Sequence, residues 1–215
     1  MRILIFLLFF LNFNINAQLN FQFTWENQTL ENNKRYYFNE NDWIEFSELK
    51  IYLSNYSLSK KNRGVILKSV DLIDNENSES KVILDSININ IFETLTFHFG
   101  LDSLINTSGI LDGDLDPMNG MYWAWSSGYI HLKMVGKSSL VQTAKNEFEF
   151  HLGGYRKPNE TYFDITLPIK GNNLKLNLKT LFLNHIDFNK TAQIMIPCEA
   201  AKMITSAAAN LFSIE

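Results

Sequence analysis

An all-β fold, an antiparallel β-sandwich closed by a short C-terminal helix, is predicted by three features of the 215-residue sequence. Apolar residues recur with period two through most of the chain, which places them on one face of pleated strands. Polar, turn-forming runs separate the alternating segments, and helical spacing takes over only near the C-terminus.

The N-terminal segment stands apart from this pattern. Met1-Arg2 gives a positive start, Ile3 to Phe13 is an almost unbroken apolar run, and Asn16-Ala17 before Gln18 ends in a small residue. Residues 1–17 therefore read as a cleavable signal peptide. The apolar run is shorter than the roughly 20 residues a bilayer-spanning helix needs. No later segment is longer, so no stable membrane span is expected, and residues 18–215 read as one β-sandwich domain without a Pro-rich or Gly/Ser-rich linker.

Within the domain, Ile44 and Phe46 share even positions, whereas Leu49, Ile51 and Leu53 share odd ones. The slip between them predicts a β-bulge or a short turn. Val65 to Ile73 reads as the next strand, and the polar run 75–80 as a hairpin turn. Ile87, Ile89, Ile91, Leu95, Phe97 and Phe99 all fall on odd positions, so 87–99 reads as one long strand with His98 pointing away from the core. Ile130, Leu132 and Met134 alternate with Tyr129, His131 and Lys133; Phe148, Phe150 and Leu152 alternate with Glu147, Glu149 and His151. Leu174, Leu176 and Leu178 continue the alternation after a turn at 170–173. Past Pro197 the period changes: Ala200, Met203, Ile204, Ala207, Ala208, Leu211 and Phe212 recur at helical spacing, which predicts an amphipathic helix over Glu199–Phe212.

Composition excludes several function classes. The formal charge is −4, from 19 basic and 23 acidic residues, and loss of Arg2 with the signal makes it −5. A mildly acidic chain lacks the clustered positive surface that nucleic-acid phosphates demand. The lone Cys198 leaves no internal disulfide framework, so stability rests on a core rich in aromatic rings, 13% of the chain. A serine-hydrolase elbow is absent, since Trp125-Ser126-Ser127-Gly128 lacks the Gly-x-Ser-x-Gly pattern, and no phosphate-binding glycine loop occurs. Glu147 and Glu149 read as a solvated strand edge. No enzyme is expected. Asp112, Asp114 and Asp116 match the first three ligands of a calcium loop, but Pro117 takes the place of its glycine and Trp123 that of its bidentate glutamate. The run reads instead as a solvated turn.

The densest cluster of chemistry-bearing side chains is Gly120 to Leu132, "GMYWAWSSGYIHL". Three of the four histidines, His98, His131 and His151, are out of phase with the core side of their strands. Imidazole suits several transition metals and thioether sulfur selects Cu(I), so a site mixing the two favours copper over magnesium or calcium. Met118, Met121 and Met134 flank the aromatic cluster. Trp123 and Trp125, two apart, equally suit an aromatic plug at the end of the sandwich.

Four segments in this order and at this spacing, "DWIEFSELKIYLSN", "LTFHFGLDS", "LDGDLDPMNGMYWAWSSGYIHLKMVG" and "FEFHLGGY", together with the closing "AAKMITSAAANLFSI", resemble the MbnP-like family. Its members are exported copper-binding proteins, named for a periplasmic protein encoded beside methanobactin genes, with relatives in Gram-negative bacteria such as the Bacteroidetes. The resemblance runs from Asn20 to Ser213 and is most specific over Gly120–Tyr129. It implies a β-rich periplasmic or surface protein that binds one copper ion through histidines, and the chain is accordingly expected to be a non-enzymatic periplasmic protein of metal handling. It also implies a tryptophan oxidised to kynurenine by a di-haem partner enzyme of the peroxidase superfamily (MbnH-type). Carried onto this chain, the metal ligands are His131, His151 and His98, the modification candidates are Trp123 and Trp125, and further candidate ligands are Met121, Met134 and His185. His131 stands where relatives often carry an aromatic residue. The alternative is a metal-free β-sandwich module whose Trp/Tyr cluster recognises a protein or glycan by burying flat rings.

Overall fold

A computed structural model describes residues 18–61, 63–85, 87–125 and 128–215. The signal-peptide reading of residues 1–17 lies outside them. The first half of the chain supplies strands β1 (Leu19–Trp25), β2 (Gln28–Thr29), β3 (Arg35–Tyr37), β4 (Trp43–Lys60), β5 (Arg63–Asp74), β6 (Val82–Ile83) and β7 (Thr94–Phe99), followed by helix α1 (Ser103–Thr107). The second half supplies β8 (Tyr122–Trp123), β9 (Gly128–Ser138), β10 (Glu147–Gly153), β11 (Phe163–Pro168), β12 (Asn173–Asn177), α2 (Leu178–His185), β13 (Gln193–Ile194), α3 (Glu199–Ala209) and β14 (Phe212–Ile214).

Among the described residues these strands form two sheets. The smaller runs β14-β12-β1-β2 with β6 also on β1; the larger runs β11-β7-β4-β9-β10-β13, with β3 and β5 on β4 and β8 on β9. Most ladders are antiparallel, whereas β1/β12 and β10/β13 run parallel because long crossovers bring their partners back in the same direction. The main core lies between the sheets. Phe21, Phe23, Leu174 and Leu176 meet Phe46, Phe97, Phe99, Phe148 and Phe150, and α2 and α3 close the side with Phe182 and Ile204. Many of the rings pack edge-on or tilted, as Phe46 does on Phe148 with centroids 5.8 Å apart, while Phe99 on Phe163 and Phe150 on Phe188 are stacked, arrangements aromatic pairs favour over a face-to-face sandwich.

The predicted phase slip is a register shift between Phe46 and Glu48 in the β4/β9 ladder. Two alternating segments are shorter than their periodicity. Residues 87–99 are not one strand: Ile89–Ile91 is a 3₁₀ turn whose Asn88 side chain accepts from Asn90 N at 3.1 Å, leaving Ile89 buried and Ile91 exposed. Leu178 is helical rather than extended, because the Asn177 side chain accepts from Lys179 N at 3.1 Å and starts α2. The closing helix is therefore not the chain's single one. It begins at Glu199 as expected and ends at Ala209, after which Phe212 joins the small sheet opposite Leu176.

The large sheet is also covered on its second face near β9. Tyr52 of β4, Leu72 of β5, Tyr129 and Ile130 of β9, Trp123 of β8, Leu101 and Met121 form a second apolar cluster. The connection from β7 to β8 lies over it. Asp102 Oδ1 caps α1 by accepting Ile105 N at 2.9 Å, Asp114 Oδ2 accepts Leu72 N at 3.0 Å, and Tyr52 donates its hydroxyl to Asp114 O at 2.7 Å. The acidic turn is thus tied down by one of its three aspartates.

Candidate functional site

His131 leaves the main core as its parity dictates, yet it is fully buried. The bare Cα of Gly100 makes the room: a Cβ there would stand 2.6 Å from His131 Nδ1. Thr161 Oγ1 lies 2.9 Å from Nδ1 and itself reaches Gly154 O at 3.3 Å, so the hydroxyl gives its proton to the carbonyl and accepts from the ring. Nε2 faces Asn106 Nδ2 at 3.4 Å. The Asn106 amide is oriented by Tyr129 N, which donates to its Oδ1 at 2.9 Å. The imidazole is therefore a neutral Nδ1–H tautomer, and burial holds its pKa down to about 4.

His151, opposite Lys133 across β9 and β10, sits differently. It is 8% exposed, and Glu149 Oε1 lies 3.0 Å from its Nε2. That oxygen is off the N–H direction, so Nε2 has no hydrogen-bond partner. Burial first, and then the Lys133 ammonium, lower its pKa against the opposing pull of Glu149 and Glu48. Lys133 belongs to a half-buried ion network: Glu48 binds Lys133 at 2.9 Å and Lys50 at 3.1 Å, and Lys50 reaches Asp74 at 3.3 Å. The same lysines donate to Asn119 O and Gly120 O, anchoring the turn that leads into the aromatic cluster.

Trp123 and Trp125 have ring centroids 5.9 Å apart at 45°, but their environments are opposite. Trp123 is 5% exposed and Trp125 65%. Trp123 is seated by Gly153 of β10, where a Cβ would come within 3.0 Å of two indole ring carbons and 2.4 Å of Tyr129 O. Its Nε1 is buried without an acceptor. Trp125 borders a cleft of about 350 Å³ walled by Tyr155, Arg156, Lys157, Ile196 and Pro197, with the Arg156 guanidinium over the Tyr155 ring.

The remaining sequence candidates are dispersed. His98 has both ring nitrogens engaged, Nε2 to Asp164 at 2.9 Å and Nδ1 to Asn55 at 3.1 Å. Met134 is enclosed in the main core and Met121 in the second cluster. His185 is exposed at the end of α2. Among the described residues no three His, Cys, Asp or Glu side chains are grouped so as to hold a metal ion. Nor is any helix among them long and apolar enough to cross a membrane. Sequence reasoning missed Gly100, Asn106 and Thr161 around His131, and the seat at Gly153. Only the glycine pair after His151-Leu152 carried a local signal, since adjacent glycines mark close backbone approach.

A family model described as MbnP matches residues 14–200. Among solved structures, MbnP from Methylosinus trichosporium is similar at 12% identity and a TM-score of 0.59, over 86% of this chain and 86% of that one. A likeness at that identity is one of fold. No curated protein matches the chain.

Proposed function

The chain belongs to the MbnP family, and from that premise we propose that it is an exported, non-enzymatic copper-binding protein of periplasmic metal handling, with His151 as its anchoring ligand. One observation carries the assignment: His151 is a buried imidazole, kept neutral, with an Nε2 that no hydrogen bond occupies. A buried polar atom left unpaired costs free energy that a ligand recovers, and a neutral imidazole is the form that binds metal. His131 has no such nitrogen to offer without giving up present partners, and His98, whose Nε2 likewise lies against a carboxylate, is the more exposed ring with Nδ1 held by Asn55. The donors supply an N/O environment from His151 and Glu149, short of a complete ligand set, so a further ligand joins from the aromatic side.

The paired indoles supply it in this reading. Trp125 is the ring that an oxidising di-haem partner of the peroxidase type can touch, and Trp123 lies 5.9 Å behind it. Conversion of one indole to kynurenine replaces a weak N–H donor with an amine and a carbonyl. The test is protein isolated from cells with and without the partner enzyme, measured for copper content and intact mass. The expected result is a copper content that His151→Ala abolishes, with a mass increase of roughly 4 Da, one carbon exchanged for one oxygen, only when the partner is present. Copper retained in His151→Ala overturns the ligand assignment. A second reading, a metal-free module recognising a protein or glycan, is favoured by the exposed Trp125 at its cleft, and is the one left standing if neither copper nor modification is found.

A further inference from the structure

At the end of the large sheet formed by the β4/β5 hairpin, the chain carries a charge pattern that copper handling does not use. The β4/β5 hairpin pairs Lys60 with Arg63, with Lys61 in the turn at a left-handed φ of 51°. Glu93 N donates to Ser59 O and Ile169 N to Glu93 O, both at 2.9 Å, which brings Lys170 and the turn carrying Ile91 to the same end. Lys60, Lys61, Arg63 and Lys170 are all exposed, as is Glu93, the acid the same backbone bonds bring there. Among the described residues none of these four cations makes an ion pair. Against a whole-chain charge of −4, this end contributes +3 and leaves −7 on the rest.

The same end exposes aliphatic side chains. Ile66 is 75% exposed, Ile91 57% and Val65 42%. Lysines on an open edge strand block unwanted pairing, which accounts for the cations but not for branched aliphatics left in water beside them. Cations flanking aliphatic tips on a hairpin end, not in a cleft, fit a surface of anionic headgroups over acyl chains.

We propose that this hairpin end is a docking surface for an anionic phospholipid bilayer, holding the protein at the membrane with its acidic remainder turned away. Lys60, Lys61 and Arg63 meet the phosphates, and Ile66 enters the headgroup boundary. Each cation near an anionic leaflet strengthens binding roughly fivefold, so neutralising three costs on the order of 100-fold.

The experiment is cosedimentation of the purified protein with phosphatidylglycerol-containing vesicles and with phosphatidylcholine vesicles. The variants are Lys60→Gln/Lys61→Asn/Arg63→Gln, where Asn tolerates the left-handed φ, and Ile66→Ser, with circular dichroism confirming the fold of each. Any retained Ile3–Phe13 segment is common to all samples and cancels in the comparison. The expected result is binding to the anionic vesicles alone, weakened on the order of 100-fold in the triple variant and severalfold in Ile66→Ser. Equal binding of wild type and triple variant overturns the proposal. So does absence of vesicle binding, and retention on immobilised polyglutamate would then assign the patch to an acidic polypeptide.

Discussion

Acid should loosen this fold through His131. The ring is fully buried, donates Nδ1–H to Thr161 and accepts from Asn106 at Nε2, so a second proton meets a donor at Nε2 and is cut off from bulk solvent. The folded pKa is pushed down to about 4 from an ordinary value of 6.5. The unfolded chain takes up the proton at pH 6.5 while the folded chain refuses it. Stability from this group is thus full above pH 6.5, falls by roughly 1.4 kcal/mol per pH unit below it, and stops falling under about pH 4, for a total of about 3 kcal/mol. At pH 5 about 2 kcal/mol is gone. With a urea m-value of roughly 2 kcal/mol/M, the midpoint should drop by about 1 M between pH 7 and pH 5. His151 is shifted in the same direction and adds to the raw slope, so the decisive quantity is a difference. His131→Gln keeps a donor and an acceptor but cannot titrate; it should lower the midpoint at pH 7 and flatten the pH dependence. Parallel midpoint-versus-pH lines for wild type and His131→Gln would refute the reasoning, because the slope would then belong to other groups.

Gly153→Ala should destabilise by about 2 kcal/mol through overpacking against Tyr129 O and the Trp123 ring, and should red-shift tryptophan emission as Trp123 is displaced; an unchanged urea midpoint would show the seat to be slack. Asn106→Ala strands Tyr129 N and His131 Nε2 together, for a loss of about 2 kcal/mol in urea unfolding, whereas a loss below a few tenths would mean that neither bond matters. Asp114→Ala removes the acceptor for Leu72 N and should cost about 1 kcal/mol while speeding limited proteolysis within residues 112–120; cleavage at the wild-type rate would remove the argument that this aspartate ties the turn to β5.

Period two reports one face of a strand and says nothing about what covers the other. Phe148, Phe150 and Leu152 were legible for this reason, since β10 buries that face in the main core. The parity of His131 was equally legible, but its burial was not: the layer over it is a connection with no periodicity, and the space it needs is a missing Cβ at Gly100. Alternation also outran two structural boundaries. Ile89, Ile91 and Leu178 kept the parity of their neighbours after the backbone had turned, and in each case the only local sign was an asparagine, Asn88 or Asn177, able to cap the turn that follows.

The candidate site depends on longer connections still. His98 meets Asp164 because the β7/β11 register sets them opposite one another, and nothing near either residue encodes that partnership. The two tryptophans make the same point inside a single motif. Their spacing brings the rings to 5.9 Å, yet one is sealed and the other bare, and the residue that admits Trp123 to its seat is Gly153, on another strand. The division of labour proposed for the pair, an outer ring within an oxidant's reach and an inner ring beside the strand of His151, therefore rests on β10. A substitution at Gly153 should change the reactivity of the indoles without touching either of them.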